Sequence, residues 1–280
     1  MENPMLGQNK ALPLLEEIKR NARIIKKTLG VAHSEALNRA AVLSEFENYL
    51  HARNSVKAGE ANTGPPTPTR QFRIRISQFW AAGEKRGKET LEVTLSRPLS
   101  EITTCQRLKL IRGMATTRKI GENIYEGEYV TRGQVQAQEL LYTASRALTF
   151  MDVTGLQPST GWQKAYPRGE SKVPGQDHAR IWFDPKTLRY VICDEPYQRE
   201  FNDEFSARQL WLEKFGYVMS TPDWLGTYNP YMDELNGSRL HLVSHATKGL
   251  DVKFLASVLS KLPEPVGNGV WSGISGPSYW

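Results

Sequence analysis

The chain has 280 residues, 39% of them hydrophobic and 10% aromatic, with a net charge of +6, which is enough apolar material for one large or two modest domain cores. No run of about 18 apolar residues occurs, and the start, MENPMLGQNKALPLLEE, has no basic segment leading into an apolar one, so neither a membrane span nor a secretory leader is expected and the cytoplasm is the expected compartment. Two cysteines, Cys105 and Cys193, lie far apart and outside any Cys-x-x-Cys pair, which argues against a disulfide framework or structural zinc and leaves two buried thiols as the expectation.

Along the chain, the first segment reads as three helices. Leu12, Leu15, Ile18, Ala22, Ile25 and Leu29 recur at spacings of three and four up to Gly30, one apolar stripe of a helix. Lys19, Arg20, Arg23, Lys26 and Lys27 fall on an arc of the same helix roughly 120° away from the stripe, at about 100° per residue. Ser34 is the expected cap of a second helix carrying Leu37, Ala40 and Ala41. Ser44 and Glu47 fit a Ser-x-x-Glu capping box that would open a third helix, with Phe46, Tyr49 and Leu50 on its inner face.

Residues 32 to 54, AHSEALNRAAVLSEFENYLHARN, have the outline of a DNA-reading helix-turn-helix. Placed in a major groove, the start of the second helix would bring Glu45 and Glu47 toward the phosphates, with Arg53 at the wrong end. Direct reading of DNA by that helix is therefore disfavoured, and a compact helical module is the better description.

KAGEANTGPPTPTR can neither continue a helix nor bury a core. The expected division is a helical module over 1–57, a Pro/Thr/Gly linker over 58–69, and a second domain over 70–280. That domain opens with QFRIRISQF and TLEVTL, which alternate apolar and polar residues as half-buried strands do. AAGEKRGKE between them makes a hairpin with a basic tip, Lys85, Arg86 and Lys88. Helices are expected over about 100–112 and 134–151. ARIWF and LRYVIC flank DPKT as a second hairpin. A helix through Phe205, Leu212 and Phe215 stops at Gly216, strands follow near GYVMS and SRLHLVS, and Asp251 caps a last helix that ends before Pro263. The pattern predicts an α+β protein, a small three-helix module followed by a largely antiparallel sheet domain backed by helices.

HSEAL followed by FENYLHARN resembles a small helical module, His-Ser-x-Ala-Leu then Phe-x-x-Tyr-x-x-Ala, found at the N-terminus of several bacterial proteins, many of them plasmid or integrative-element proteins. WFDPKTLRYVICDEPY resembles a hairpin of a bacterial family known only as a domain of unknown function. The resemblance implies a bacterial, mobile-element setting and brings no activity with it.

Candidate chemistry is sparse. His241 and His245 lie four apart in HLVSH, but on a strand their rings would sit roughly 13 Å apart, so no metal site is expected. Gly267, Gly269, Gly273 and Gly276 follow the last helix and do not form a phosphate loop, so no cofactor is expected. Trp271, Tyr279 and Trp280 make the tail a segment that docks on the protein's own core or anchors a partner. CDEPY gathers Cys193, Asp194 and Glu195 after a strand. The adjacent carboxylates would raise the thiol pKa and spoil a nucleophile, and in an extended chain they point to opposite sides. The bland expectation is a solvated strand end.

The charge distribution carries the stronger case. Residues 70–133 hold 13 Lys/Arg against 7 Asp/Glu, whereas residues 134–280 hold 14 against 16. Arg73 and Arg75 lie on the outward strand face near Phe79 and Trp80, a surface able to meet phosphates and stack a base. Three readings stay open: a non-enzymatic accessory protein touching DNA or RNA without reading sequence, through residues 19–27 and 73–88; a protein-interaction module using the N-terminal helices and the tail; and a hydrolase or nuclease centred on Asp194, Glu195 and His178.

Overall fold

The computed structural model describes residues 11–44, 46, 48–57, 71–228, 237–263 and 271–277. The chain divides into two compact units, residues 1–69 and 70–280. The expected linker over 58–69 lies outside the described residues. None of the described helices is long and apolar enough to cross a membrane.

The first unit contains α1 (Ala11–Leu29), α2 (His33–Leu43) and α3 (Tyr49–Lys57). Ile18 and Ala22 of α1 meet Ala36, Ala40 and Ala41 of α2 and Ala52 of α3 in a core built largely of alanine, whose small side chains let helices approach closely. Capping differs from the sequence expectation. Ala32 flanks the start of α2 and no side chain caps it, so Ser34 stands inside the helix. Ser44 closes α2, donating its hydroxyl to the Ala40 carbonyl at 3.2 Å. Asn48 opens α3 instead, its Oδ1 accepting from the His51 N–H at 2.9 Å, while Asn38 Oδ1 accepts from the Tyr49 N–H at 3.1 Å. A serine at a helix end has its own helix's carbonyl within reach, and Ser44 places its hydroxyl there. Glu45 and Glu47 lie outside the described residues.

Among the described residues the second unit has two five-stranded sheets. β1 (Phe72–Ala82) and β2 (Lys85–Leu95) form the expected hairpin, turning at Gly83, whose φ of 61° is the left-handed conformation glycine adopts without steric cost. The single helix expected near 100–112 is two short ones, α4 (Leu99–Ile102) and α5 (Cys105–Leu108), because Thr103 is extended and Thr104 caps α5 with its hydroxyl. Cys105 is exposed, contrary to expectation, and Cys193 is buried. β3 (Thr117–Gly121) and β4 (Ile124–Thr131) form a further hairpin, and β4 runs parallel to β1. The sheet order is β10-β2-β1-β4-β3.

α6 (Gln134–Thr154) follows, ending at a left-handed Gly155. Its Leu141, Ala144 and Leu148 pack on the first sheet, and Phe150 meets Trp182 of the second at 4.6 Å. One continuous apolar core therefore joins both sheets. β5 (Gln157–Ser159), α7 (Trp162–Ala165), β6 (Arg180–Phe183), β7 (Tyr190–Asp194), α8 (Gln198–Asp203), α9 (Phe205–Phe215), β8 (Tyr217–Ser220), β9 (His241–His245), α10 (Val252–Leu259) and β10 (Ile274–Pro277) follow among the described residues. The second sheet is antiparallel throughout, in the order β5-β6-β7-β9-β8. Asp251 caps α10 by accepting from the Lys253 and Phe254 N–H groups.

The tail folds back onto the unit. β10 pairs with β2, and Trp271 packs edge-on against Tyr142 at 5.3 Å. Beneath it the fully buried Glu89 carboxylate accepts from Trp80 Nε1, Gln134 Nε2, Gln138 Nε2 and Ser275 Oγ, at 2.9, 3.1, 3.1 and 2.6 Å. Tyr279, Trp280, Gly267 and Gly269 lie outside the described residues.

Candidate functional site

The basic residues singled out by sequence fall on both units and differ in how they are engaged. On α1, Arg20, Arg23, Lys26 and Lys27 are exposed, and by the helical period Arg20, Arg23 and Lys27 lie opposite buried Ile18 and Ala22. Lys19 is held by Glu16 at 2.7 Å. On the sheet, Arg75 pairs with Glu92 at 3.1 Å and Arg73 stands 3.9 Å from the same carboxylate. Lys88 lies within β2, pairs with Glu126 at 2.5 Å and covers the Phe79 ring. Lys85 and Arg86 are exposed beside the turn.

Trp80 does not share the outward face with Arg73, Arg75 and Phe79. Alternation along β1 turns it to the α6 side, where its indole donates to Glu89 and lies against Gly87. A Cβ at Gly87 would come within 2.7 Å of that ring. The sheet surface thus offers Phe79 without Trp80, and three of its cations already face carboxylates.

The CDEPY segment is an enclosed polar centre, not the expected solvated strand end. Asp194 and Glu195 are both fully buried. They leave β7 on opposite sides, as adjacent residues of an extended chain do. Asp194 Oδ2 accepts from Arg208 Nη2 at 2.6 Å and Oδ1 accepts from the Asp177 N–H at 3.0 Å. Arg208, also fully buried, donates through Nε to the Pro174 carbonyl at 3.0 Å and lies over the Phe201 ring.

Glu195 faces the segment 226–228. Its Oε1 accepts from the Thr227 N–H and hydroxyl at 3.0 and 2.5 Å, and Oε2 accepts from the Tyr228 N–H at 2.7 Å. Arg146 approaches from α6 and donates to the Tyr228 carbonyl at 2.8 Å. Gly226 makes room: at φ of 104° a Cβ there would meet Glu195 Oε2 at 2.5 Å.

Burial dominates the electrostatics. It pushes the Asp194 carboxyl up to about 6 against the pull of Arg208, and raises Glu195 against its hydrogen bonds. The Cys193 thiol is pushed well above its ordinary range by burial and then by the two carboxylates, so it is not a thiolate nucleophile. His178 has a left-handed φ of 50°, stacks on Tyr228 at 3.7 Å and has Nε2 3.2 Å from Asp177 Oδ2. Burial lowers its pKa. It contacts Asp177 rather than either buried carboxylate.

His241 and His245 stand on one strand, as expected. His241 lies opposite Asp194 in the β7–β9 register, stacks on Phe201 at 4.0 Å and shares a 2.8 Å hydrogen bond with Thr221 through Nδ1. Burial, with Arg208 and Arg239 nearby, lowers its pKa to about 3. Among the described residues no group of three or more His, Cys, Asp or Glu side chains is placed to hold a metal ion.

Sequence reasoning missed Arg208 and Arg146, the cations that make this centre possible. The signal for Arg208 was present, since it precedes Leu212 by four residues on the inward stripe of α9. Arg146 is buried because α6 packs against both sheets, which no local pattern reveals. Compared with known proteins, the chain matches no family model, no curated protein and no solved structure.

Proposed function

We propose that the protein is a non-enzymatic accessory protein of a bacterial mobile element, resident in the cytoplasm, that contacts DNA or RNA through backbone phosphates without reading sequence. The observation that carries this reading is the exposure of Arg20, Arg23, Lys26 and Lys27 on successive turns of α1, in a stretch from residue 18 to 34 that contains no carboxylate. Cations so placed approach phosphates with little desolvation and release counterions on binding. Lys85 and Arg86 offer a second contact. Arg73, Arg75 and Lys88 contribute less, because Glu92 and Glu126 already neutralise them. The buried Asp194 and Glu195 offer a hydrolytic reaction no accessible carboxylate.

Binding of a fluorescent oligonucleotide, titrated with salt, tests this. Replacing Arg20, Arg23, Lys26 and Lys27 by alanine is expected to flatten the slope of log affinity against log salt by about 3–4 on duplex DNA. An unchanged slope, or affinity independent of salt in the parent chain, would exclude the reading.

A second reading, a protein-contact module, is favoured by Ile24, Val42, Leu43 and Leu50, which the helical unit leaves exposed. Stoichiometric retention of a protein from nuclease-treated lysate, lost on replacing Ile24 and Leu50 with serine, would support it over the first.

A further inference from the structure

One end of the second sheet opens into a cleft of about 540 Å³. Tyr166, Tyr190, Phe215 and Tyr217 form its aromatic lining, and Lys164, Arg168 and Lys248 supply three exposed cations. Among the described residues no carboxylate lines it. Two of the phenols are already committed to the protein, Tyr217 donating to the Ala165 carbonyl at 2.9 Å and Tyr166 to Gln176 Oε1 at 2.8 Å. Both are thereby fixed and more than nine-tenths buried, so the half-buried Tyr190 and Phe215 supply most of the open aromatic surface.

His245 adds a polar group. Its Nδ1 accepts from the Thr247 and Lys248 N–H groups, each at 3.2 Å, so the neutral ring carries its proton on Nε2 as a donor. At the cleft margin Leu188, 65% exposed, closes the β6–β7 turn at φ of 56°, its N–H donating to the Asp184 carbonyl at 2.8 Å.

We propose that this cleft binds a nucleoside phosphate, with the base against the aromatic lining and the phosphate among Lys164, Arg168, Lys248 and His245 Nε2. An aromatic lining selects a planar ring. Three cations with no carboxylate among the described lining residues select an anion carrying more than one negative charge. The volume falls in the range of small-ligand sites. The site does not depend on the cations of α1. The ligand is either a free nucleotide or one nucleotide of a single strand, and both present the same chemistry.

Calorimetric titration of the full chain with adenosine 5′-monophosphate, adenosine, inorganic phosphate and a short single-stranded oligonucleotide tests the assignment. Adenosine 5′-monophosphate is expected to bind, with adenosine weaker by about tenfold or more for loss of the charge-assisted contacts, and phosphate weaker by about tenfold or more for loss of base stacking. Arg168→Ala and Lys248→Ala should each weaken it about tenfold at unchanged melting temperature. Leu188→Gly, which the left-handed backbone accepts, should weaken it without loss of stability.

If the oligonucleotide also weakens in the cleft variants while the α1 cations are intact, the nucleotide comes from a strand. If only the mononucleotide does, it is free. Absence of mononucleotide binding at millimolar concentration, or binding indifferent to Arg168→Ala and Lys248→Ala, overturns the proposal. An oligonucleotide bound through α1 alone would then leave the phosphate-contact reading standing.

Discussion

Asp194 and Glu195 are chain neighbours in separate networks, and the difference is one of partners rather than residue type. Asp194 meets a guanidinium, whereas Glu195 is held by backbone and hydroxyl donors with Arg146 behind them. Their divergence was legible from strand alternation, but their burial was not, because Arg208 and Thr227 are 14 and 32 residues distant in sequence. His241 shows what such burial does to stability. Its pKa is near 3 when folded and ordinary when unfolded, so below about pH 6.5 the unfolded chain binds the extra proton and stability falls by about 1.4 kcal/mol per pH unit. His241→Asn keeps a polar group facing Thr221 but cannot protonate. Urea unfolding at pH 7 and pH 5 should show the variant's deficit shrinking by about 2 kcal/mol toward acid; a deficit equal at both values would refute this. Asp194, shifted upward, favours stability toward acid, and comparing variant with parent at each pH removes that contribution.

Among the elements, those with a strong period were foreseen and those with charged or short sequences were not. The β1–β2 and β6–β7 hairpins alternate cleanly, and Gly216 and Asp251 mark helix ends through local chemistry. β3 and β4, TRKIG and IYEGEYVT, carry too many exposed charges to announce a strand; pairing of β3 with β4 and of β4 with β1 makes them strands. Asn48 replaced Ser44 as a cap because each residue took the nearest unsatisfied backbone group. The tail had two readings from composition, and β2 decided between them by offering Ile274–Pro277 an edge and Glu89 a donor in Ser275. Deleting residues 267–280 should therefore destabilise the chain by about 2 kcal/mol or more through loss of Trp271 burial, lowering the melting temperature by roughly 4–8 °C for a unit of this size. An unchanged melting temperature would show that the tail contributes nothing by docking.

For the whole molecule, the two units differ in how much apolar surface they bury. The helical unit relies on five buried alanines and Ile18, whereas the larger one joins two sheets through Phe150, Trp182 and Trp224. Local stability follows buried apolar contact. Amides of α2 should accordingly exchange with deuterium faster than those of β7 and β9; equal protection would contradict that ranking. The sequence by itself determined the α+β class, the principal hairpins and the apolar and basic arcs of α1, because these depend on periods of two and 3.6 residues and on local capping chemistry. Only the tertiary structure decided that Asp194 and Glu195 are buried, that Trp80 turns away from the arginine face, that the tail becomes a strand, and that an aromatic cleft gathers three cations. Each depends on partners brought from distant parts of the chain, and a charge or ring has no fixed role until its neighbours set its exposure and the energy of its ionised form.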